Sequence, residues 1–207
     1  MFPEWSAKQL FEPLSVEELS GTTPALRGTS QAENMALTTT ETRLVMSGAE
    51  LSAALIDVVQ NARTCLVAVG SRSSEPTYLQ AIEHAIESRP NLVHYRILIG
   101  QPHSQVLKDH LLRLVELHAA QLTHDGKKTL YMSIRDDLTR HYEWFFVASE
   151  QAAVAILPSG TSPMNFDTGL VVRGPHYVQG LIQHGKALYS QHSLESVDAV
   201  NKLDILG

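Results

Sequence analysis

Two apolar runs, Thr64–Val69 and Leu92–Ile99, each stop at a glycine, Gly70 and Gly100, and each is followed by residues with helical periodicity. Runs of this length closed by glycine read as strands, and the periodic stretches between them as amphipathic helices. Before the first run, Arg43–Met46 is a short strand candidate. Ser47-Gly48-Ala49-Glu50 then has capping-box spacing, followed by Leu51, Leu55, Val58, Val59 and Ala62 on one helical face. After Gly70, Pro76 suits a helix start, with Tyr78, Leu79, Ile82 and Ile86 on one face up to Ser88. After Gly100, a helix over roughly 103–121 carries Leu107, Leu111, Leu114 and Val115. Asp125-Gly126 marks a turn and Leu130–Ile134 another strand. Strands separated by helices imply parallel pairing with right-handed crossovers.

From His141 to Arg173 the pattern changes. Tyr142, Trp144, Phe145, Phe146 and Val147 suit a pleated, half-buried surface; Ser149-Glu150-Gln151 interrupts, and Ala152–Leu157 is a second apolar run. Two such runs around a short polar piece predict neighbouring antiparallel strands. Pro158–Pro163 is a loop, Phe166–Val172 a further strand, and Pro175 opens a last helix with Val178, Leu181, Ile182, Leu188 and Tyr189. The order β-α-β-α-β-α-β-β-β-β-α predicts an α/β domain with a mixed, largely parallel sheet and helices on both faces. Its expected bounds are 43–192. An N-terminal arm, 1–42, part helical and part extended, precedes it, and a tail, 193–207, follows. Phe2, Trp5, Leu10, Phe11 and Leu14 are the arm's apolar anchors, and its Ser/Thr-rich second half lacks periodicity.

A chain of 207 residues, 43% hydrophobic and 18% charged, supports one substantial core. Its formal net charge of −6 does not favour nucleic acid, which needs clustered Lys and Arg; a local basic patch stays open. The single cysteine, Cys65, rules out an intrachain disulfide and fits a cytoplasmic protein with a buried, inert thiol. No apolar run has the length of a membrane span and no signal peptide is evident, so no membrane partner is expected.

The segments ALIDVVQNARTCLVAVGS, AIEHAIESRPNLVHYRILIG, HYEWFFVASEQAAVAILPSG and NFDTGLVVRGPHYVQGLIQHGKALYSQ, in this order, resemble one half of the phospholipase D superfamily over roughly 47–191. In that family a His-x-Lys-x4-Asp motif supplies a nucleophilic histidine and a phosphate-neutralising lysine. His141 matches the histidine. Glu143 stands at the lysine position and Ala148 at the aspartate position, with Glu150 two residues on; the family's Gly-Ser turn is at best Pro158-Ser159. A glutamate in place of the lysine repels a phosphodiester, by about 4 kcal/mol at ~4 Å and an effective dielectric near 20. The resemblance also implies a homodimer, since family members with one half per chain build their site across two subunits.

Ligands of such sheets bind beyond the carboxyl ends of the parallel strands. At the first of these ends, Ser71, Arg72 and Ser73 before a helix form a candidate anion cradle; the ordinary alternative is a capping loop with Ser73 or Ser74 as N-cap. At the second, His103 either faces the same crevice or is a solvated helix-start histidine. His141 and Glu143, two apart on a strand, share one face and suit a general base with its orienting group, or a surface pair. Asn165 and Asp167 share a face at another strand mouth and suit a polar ligand, as does Ser159 in the loop before them, or simply end that loop. His103, His110 and His118 are too far apart along one helix to share an ion, and no His-x3-His or Cys-x2-Cys spacing occurs, so no metal is expected. Walker and dinucleotide loops are absent, so no cofactor is expected.

Two functions follow. The first is a catalytically degenerate domain that binds a small anionic or polar ligand as a sensor or regulatory module. The alternative is a phosphodiesterase, phosphotransferase or nuclease that uses His141 as nucleophile in a homodimeric site.

Overall fold

The computed structural model describes residues 41–136, 145–157 and 167–206, without the side chains of 121–125. The chain divides into two units, Met1–Ala36 and Leu37–Gly207, and all described residues belong to the second. The elements begin with β1 (Glu41–Val45), α1 (Gly48–Asn61), β2 (Cys65–Val69), α2 (Pro76–Ser88), β3 (Val93–Ile99) and α3 (Gln105–Asp125). They continue with β4 (Leu130–Arg135), β5 (Phe145–Ser149), β6 (Ala153–Leu157), β7 (Thr168–Arg173), α4 (Pro175–Leu188) and α5 (Val197–Asn201).

One sheet holds the seven strands in the order β1-β7-β6-β5-β2-β3-β4. The expected mixed sheet is present, but the balance of pairing differs from the largely parallel one expected. Among the described strands, β2–β3 and β3–β4 are parallel, while β1–β7, β7–β6, β6–β5 and β5–β2 are antiparallel. Three of the antiparallel pairs come from the β5–β6–β7 meander and its edge against β2, and the fourth from the placement of β1. β1 runs in the same sense as β2, as a helical crossover requires, but three strands lie between them because α1 packs across β5, β6 and β7 on its way. The β5–β6 antiparallel pair, Phe145 against Ile156 and Ala148 against Ala153, follows the sequence reading.

Alternation sorts the side chains onto two faces. Leu66, Ala68 and Leu98 face a core built with α1, α2 and α3. Val67, Val69, Ile97, Phe146 and Ala148 face α4, through Val178 and Ile182. Helices thus cover both faces, and Leu66 through Val69 are fully buried.

The helix starts show where local chemistry decides. Ser47 Oγ accepts from Glu50 N (3.2 Å) and caps α1, but the Glu50 carboxylate pairs with Arg43 on β1. At α3, Ser104 Oγ accepts from Leu107 N (3.1 Å). The final residues, read from sequence as a tail, pack on the domain. Backbone bonds Ile134 N to His192 O (3.1 Å) and Leu194 N to Met132 O (2.9 Å) line them along the β4 edge. Leu194, Val200 and Leu203 are buried. Lys108 Nζ then donates to the carbonyls of Asn201 (3.0 Å) and Leu203 (2.6 Å), whose N–H partners a helix end lacks. No helix among the described residues is long and apolar enough to cross a membrane.

Two glycines of α4 test this packing. A Cβ on Gly185 would run into Val67 Cγ1 and crowd the Phe146 ring, whereas one on Gly180 meets nothing within 4 Å. Gly185→Ala is expected to lower stability by about 1–3 kcal/mol through overpacking. Gly180→Ala should raise it by about 0.5–1 kcal/mol through helix propensity. Urea unfolding of the two variants checks the pair.

Candidate functional site

The carboxyl ends of β1 and β2, the amino ends of β5 and β7, and the carboxyl end of β6 all lie at one end of the sheet. There the first turns of α1 and α2 stand apart and leave a cavity of about 330 Å³. From α1 it takes Gly48, Leu51, Ser52 and Leu55, and Phe145, Ile156 and Asp167 close it from the strand mouths. Its polar wall is the β2–α2 loop, with Arg72, Ser73, Ser74 and Glu75, and Tyr78 behind them on α2.

Gly70 makes this wall possible. Its φ is +129°, a region L side chains rarely adopt, and a Cβ there would occupy the Phe145 ring. The loop beyond is fastened to the β3 end. Ser71 is fully buried, and its hydroxyl donates to the Ile99 carbonyl (2.7 Å), with the Gly100 carbonyl 3.0 Å away. His103 N donates to Ser71 O (3.0 Å), and Ser104 Oγ to Ser73 O (3.4 Å).

Ser73 and Ser74 do not cap α2. Glu75 does: its Oε1 accepts from Thr77 N (3.1 Å), and its Oε2 from Tyr78 N (2.6 Å) and Ser52 Oγ (3.4 Å). Burial pushes the Glu75 carboxyl up, but these hydrogen bonds outweigh it and hold it below its ordinary value. The α2 N-terminus, counted from sequence as part of the anion cradle, therefore already faces a carboxylate of its own chain.

Of the residues singled out from sequence, Arg72, Ser73 and Asp167 come together at this cavity. Ser71 serves the loop from inside, and His103 stands beside that loop without lining the cavity. His141, Glu143, Ser159 and Asn165 lie outside the described residues. No group of three or more His, Cys, Asp or Glu among the described residues is arranged to hold a metal ion.

Behind the polar wall lies a cluster that sequence reasoning missed. Arg96, at the centre of β3, is fully buried; its Nη2 donates to Gly70 O (3.3 Å) and Ser73 Oγ (3.4 Å). Among the described residues, its Nε and Nη1 meet no hydrogen-bond partner of normal geometry. Tyr78 Oη sits close enough to feel the guanidinium, without a hydrogen bond of normal geometry. Burial pushes that phenol up to about 12, against the pull of Arg96, so it stays protonated. His94, also fully buried, makes an Nδ1 contact to Leu66 O (3.2 Å); His110 Nδ1 meets Glu83 Oε1 (2.6 Å). The one sequence signal was a histidine and an arginine, two apart, inside an otherwise apolar strand.

No family model matches the sequence, and no curated protein matches it. Solved structures do. The chain is similar to Nuc, a phospholipase D family member from Salmonella typhimurium, at 10% identity and TM-score 0.55, over 76% of this chain and 99% of that one. It is similar to phosphatidylserine synthase from Haemophilus influenzae Rd KW20 at 11% identity and TM-score 0.54, over 75% of this chain and 39% of that one.

The fold is phospholipase D-like.

TrmBL2, an archaeal chromatin protein, also matches, at 11% identity and TM-score 0.51, over 73% of this chain; the present chain spans about half of it, 53%. In the sequence reading, the residue at the motif's aspartate position is Ala148. Ala148 is fully buried in β5, paired with Val67 and Ala153 and packed toward α4. Glu150, two residues on, is held elsewhere. It lies past the other end of β5, where its Oε1 accepts from Arg63 N (2.5 Å) and Thr64 N (3.3 Å) and its Oε2 from Cys65 N (3.3 Å). It caps the start of β2, away from the cavity.

The buried cluster makes stability depend on pH. Burial first, then the charges of Arg96 and His110, push the His94 imidazole down to about 3, against ~6.5 for an unperturbed histidine. Between those values the unfolded chain binds a proton at His94 that the folded chain refuses, so stability falls as pH falls below 6.5. From pH 7 to pH 5 this site alone should cost about 2 kcal/mol. His94→Asn should remove that part of the slope, measured by urea unfolding at the two pH values.

Proposed function

We propose that this phospholipase D-like domain is catalytically degenerate and binds a small polar ligand, acting as a sensor or regulatory module. The observation that carries the reading is the fate of the motif's acidic position: Ala148 is sealed inside the sheet, and the nearby Glu150 is committed to three backbone amides at the far end. With Glu143 in place of the lysine, neither the positive charge nor the carboxylate of the family's chemistry remains in the chain at those positions. A cavity of about 330 Å³ nonetheless persists at the strand mouths, with Arg72, Ser73 and Asp167 at its wall. Apolar walls with a few convergent polar groups are the usual make-up of a small-molecule site. The likeness to Nuc, which extends over 99% of that chain, supports a domain of that size, and the resemblance to the family implies that it works as a homodimer.

The competing enzyme reading requires His141 as nucleophile. Turnover of bis(4-nitrophenyl) phosphate should be absent from the wild type, or equal in the wild type and His141→Ala. Turnover that disappears in His141→Ala would overturn the reading. In parallel, a panel of small polar metabolites should contain compounds that raise the melting temperature, and Arg72→Ala should abolish that rise. An unchanged rise in Arg72→Ala would remove the cavity wall from the binding site.

A further inference from the structure

Five side-chain atoms behind the cavity wall lie inside the core with no hydrogen-bond partner of normal geometry among the described residues. They are Tyr78 Oη, His94 Nε2, Arg96 Nε and Nη1, and His110 Nε2. Their residues are at most 3% exposed. His94 and Arg96, two apart on β3, face the same side of the sheet as Leu98, where α2 brings Tyr78 and α3 brings His110. The Arg96 charge acts on the other three residues, and that of His110 on His94. Buried polar groups in folded proteins are satisfied by protein atoms or by ordered water.

Neighbouring contacts fix what each atom offers. His94 Nδ1 meets the Leu66 carbonyl (3.2 Å), which only accepts, so the ring proton sits on Nδ1 and Nε2 presents a lone pair. His110 Nδ1 meets Glu83 Oε1 (2.6 Å) and carries its proton on the same nitrogen. Burial outweighs the pull of Glu83 and holds the His110 imidazole below its ordinary value, so at neutral pH its Nε2 is a lone pair as well. Two acceptors therefore stand with Arg96 Nε and Nη1, which only donate, and with Tyr78 Oη, which can do either.

That mixture selects the occupant. A halide or an oxyanion suits the guanidinium but meets two lone pairs. A metal ion suits the lone pairs but meets a buried guanidinium of its own sign. Water accepts from the one and donates to the others. A buried water makes about three hydrogen bonds, so these five atoms take about two molecules.

We propose that the junction of β3, α2 and α3 is an internal hydration site, in which water accepts from Arg96 Nε and Nη1 and donates to His94 Nε2 and His110 Nε2, with the Tyr78 hydroxyl completing the network. Arg96 Nη2 carries the network to Ser73 Oγ at the cavity wall (3.4 Å), and His110 carries it to the partly exposed Glu83. The site is independent of which ligand the cavity takes.

Magnetic relaxation dispersion of water oxygen, recorded on the full chain, counts water held inside a protein, and nitrogen-resolved NMR of the imidazoles reads their tautomers. At pH 7 both His94 and His110 are expected with the proton on Nδ1 and none on Nε2. Arg96→Met should release about two long-lived waters, and His110→Leu at least about one. Tyr78→Phe keeps the ring and removes only Oη, and should shorten the residence time of the same waters. It keeps the test decisive if the other two variants fail to fold. A proton on Nε2 of either histidine, or the same dispersion in the wild type and all folded variants, overturns the proposal. Chloride NMR line broadening by the wild type that disappears in Arg96→Met would assign the site to an anion and overturn it as well.

Discussion

β2 is hydrogen-bonded to parallel β3 on one side and to antiparallel β5 on the other, with Leu66 through Val69 fully buried between two helical layers. A strand covered on both faces has no polar surface, so its register and its ends must be secured by other groups. Glu150 does this at the start, through the amides of Arg63, Thr64 and Cys65. At the finish, Gly70 N donates to Ile97 O (2.9 Å) and Ser71 ties to the end of β3. Because α1 arrives at β2 from the β7 side and α2 leaves toward β3, their first turns diverge above its carboxyl end. The cavity is the space that divergence leaves, which is why ligand sites in sheets of this kind recur at such points.

Directly beneath that space the core departs from apolar packing. Arg96, His94, His110 and Tyr78 occupy positions between β3, α2 and α3 where aliphatic residues would be easier to bury. A buried cation with unmatched donors costs several kcal/mol relative to an apolar residue of similar size. Its hydrogen bonds lead to Gly70 and Ser73, the residues that shape the cavity wall. Strain of this sort inside a core is expected where a site needs a fixed polarity, and the position of Arg96 one side chain behind the wall fits that role.

Much of the element order was legible because each element carries its own period. The β2 and β3 runs closed by Gly70 and Gly100, the α1 cap at Ser47, Pro76 at the start of α2 and the β5–β6 pair all follow from local chemistry. Arg72, Ser73 and Asp167 were recognisable as candidates because strand ends in an α/β sheet converge. Ser73 as a helix cap was not borne out, because Glu75 reaches two amides of α2 and the Ser52 hydroxyl at once, which a serine cannot. Ser71 is buried and its hydroxyl fastens the loop to β3, a contact with a residue 28 positions away that no local stretch announces.

The sequence by itself determined the alternation of strands and helices, their phospholipase D-like order and the identities Glu143 and Ala148 at the positions compared with the family motif. Those are properties of neighbouring residues: side-chain period, capping and residue identity. Only the tertiary structure decided that β1 lies at the far edge beside β7, that Glu150 faces the start of β2, and that Arg96 stands behind Ser73. Each of these joins residues far apart in the chain, and their meeting depends on which strands pair. Pairing is set by how whole faces bury one another, a sum over the sheet that no local stretch contains.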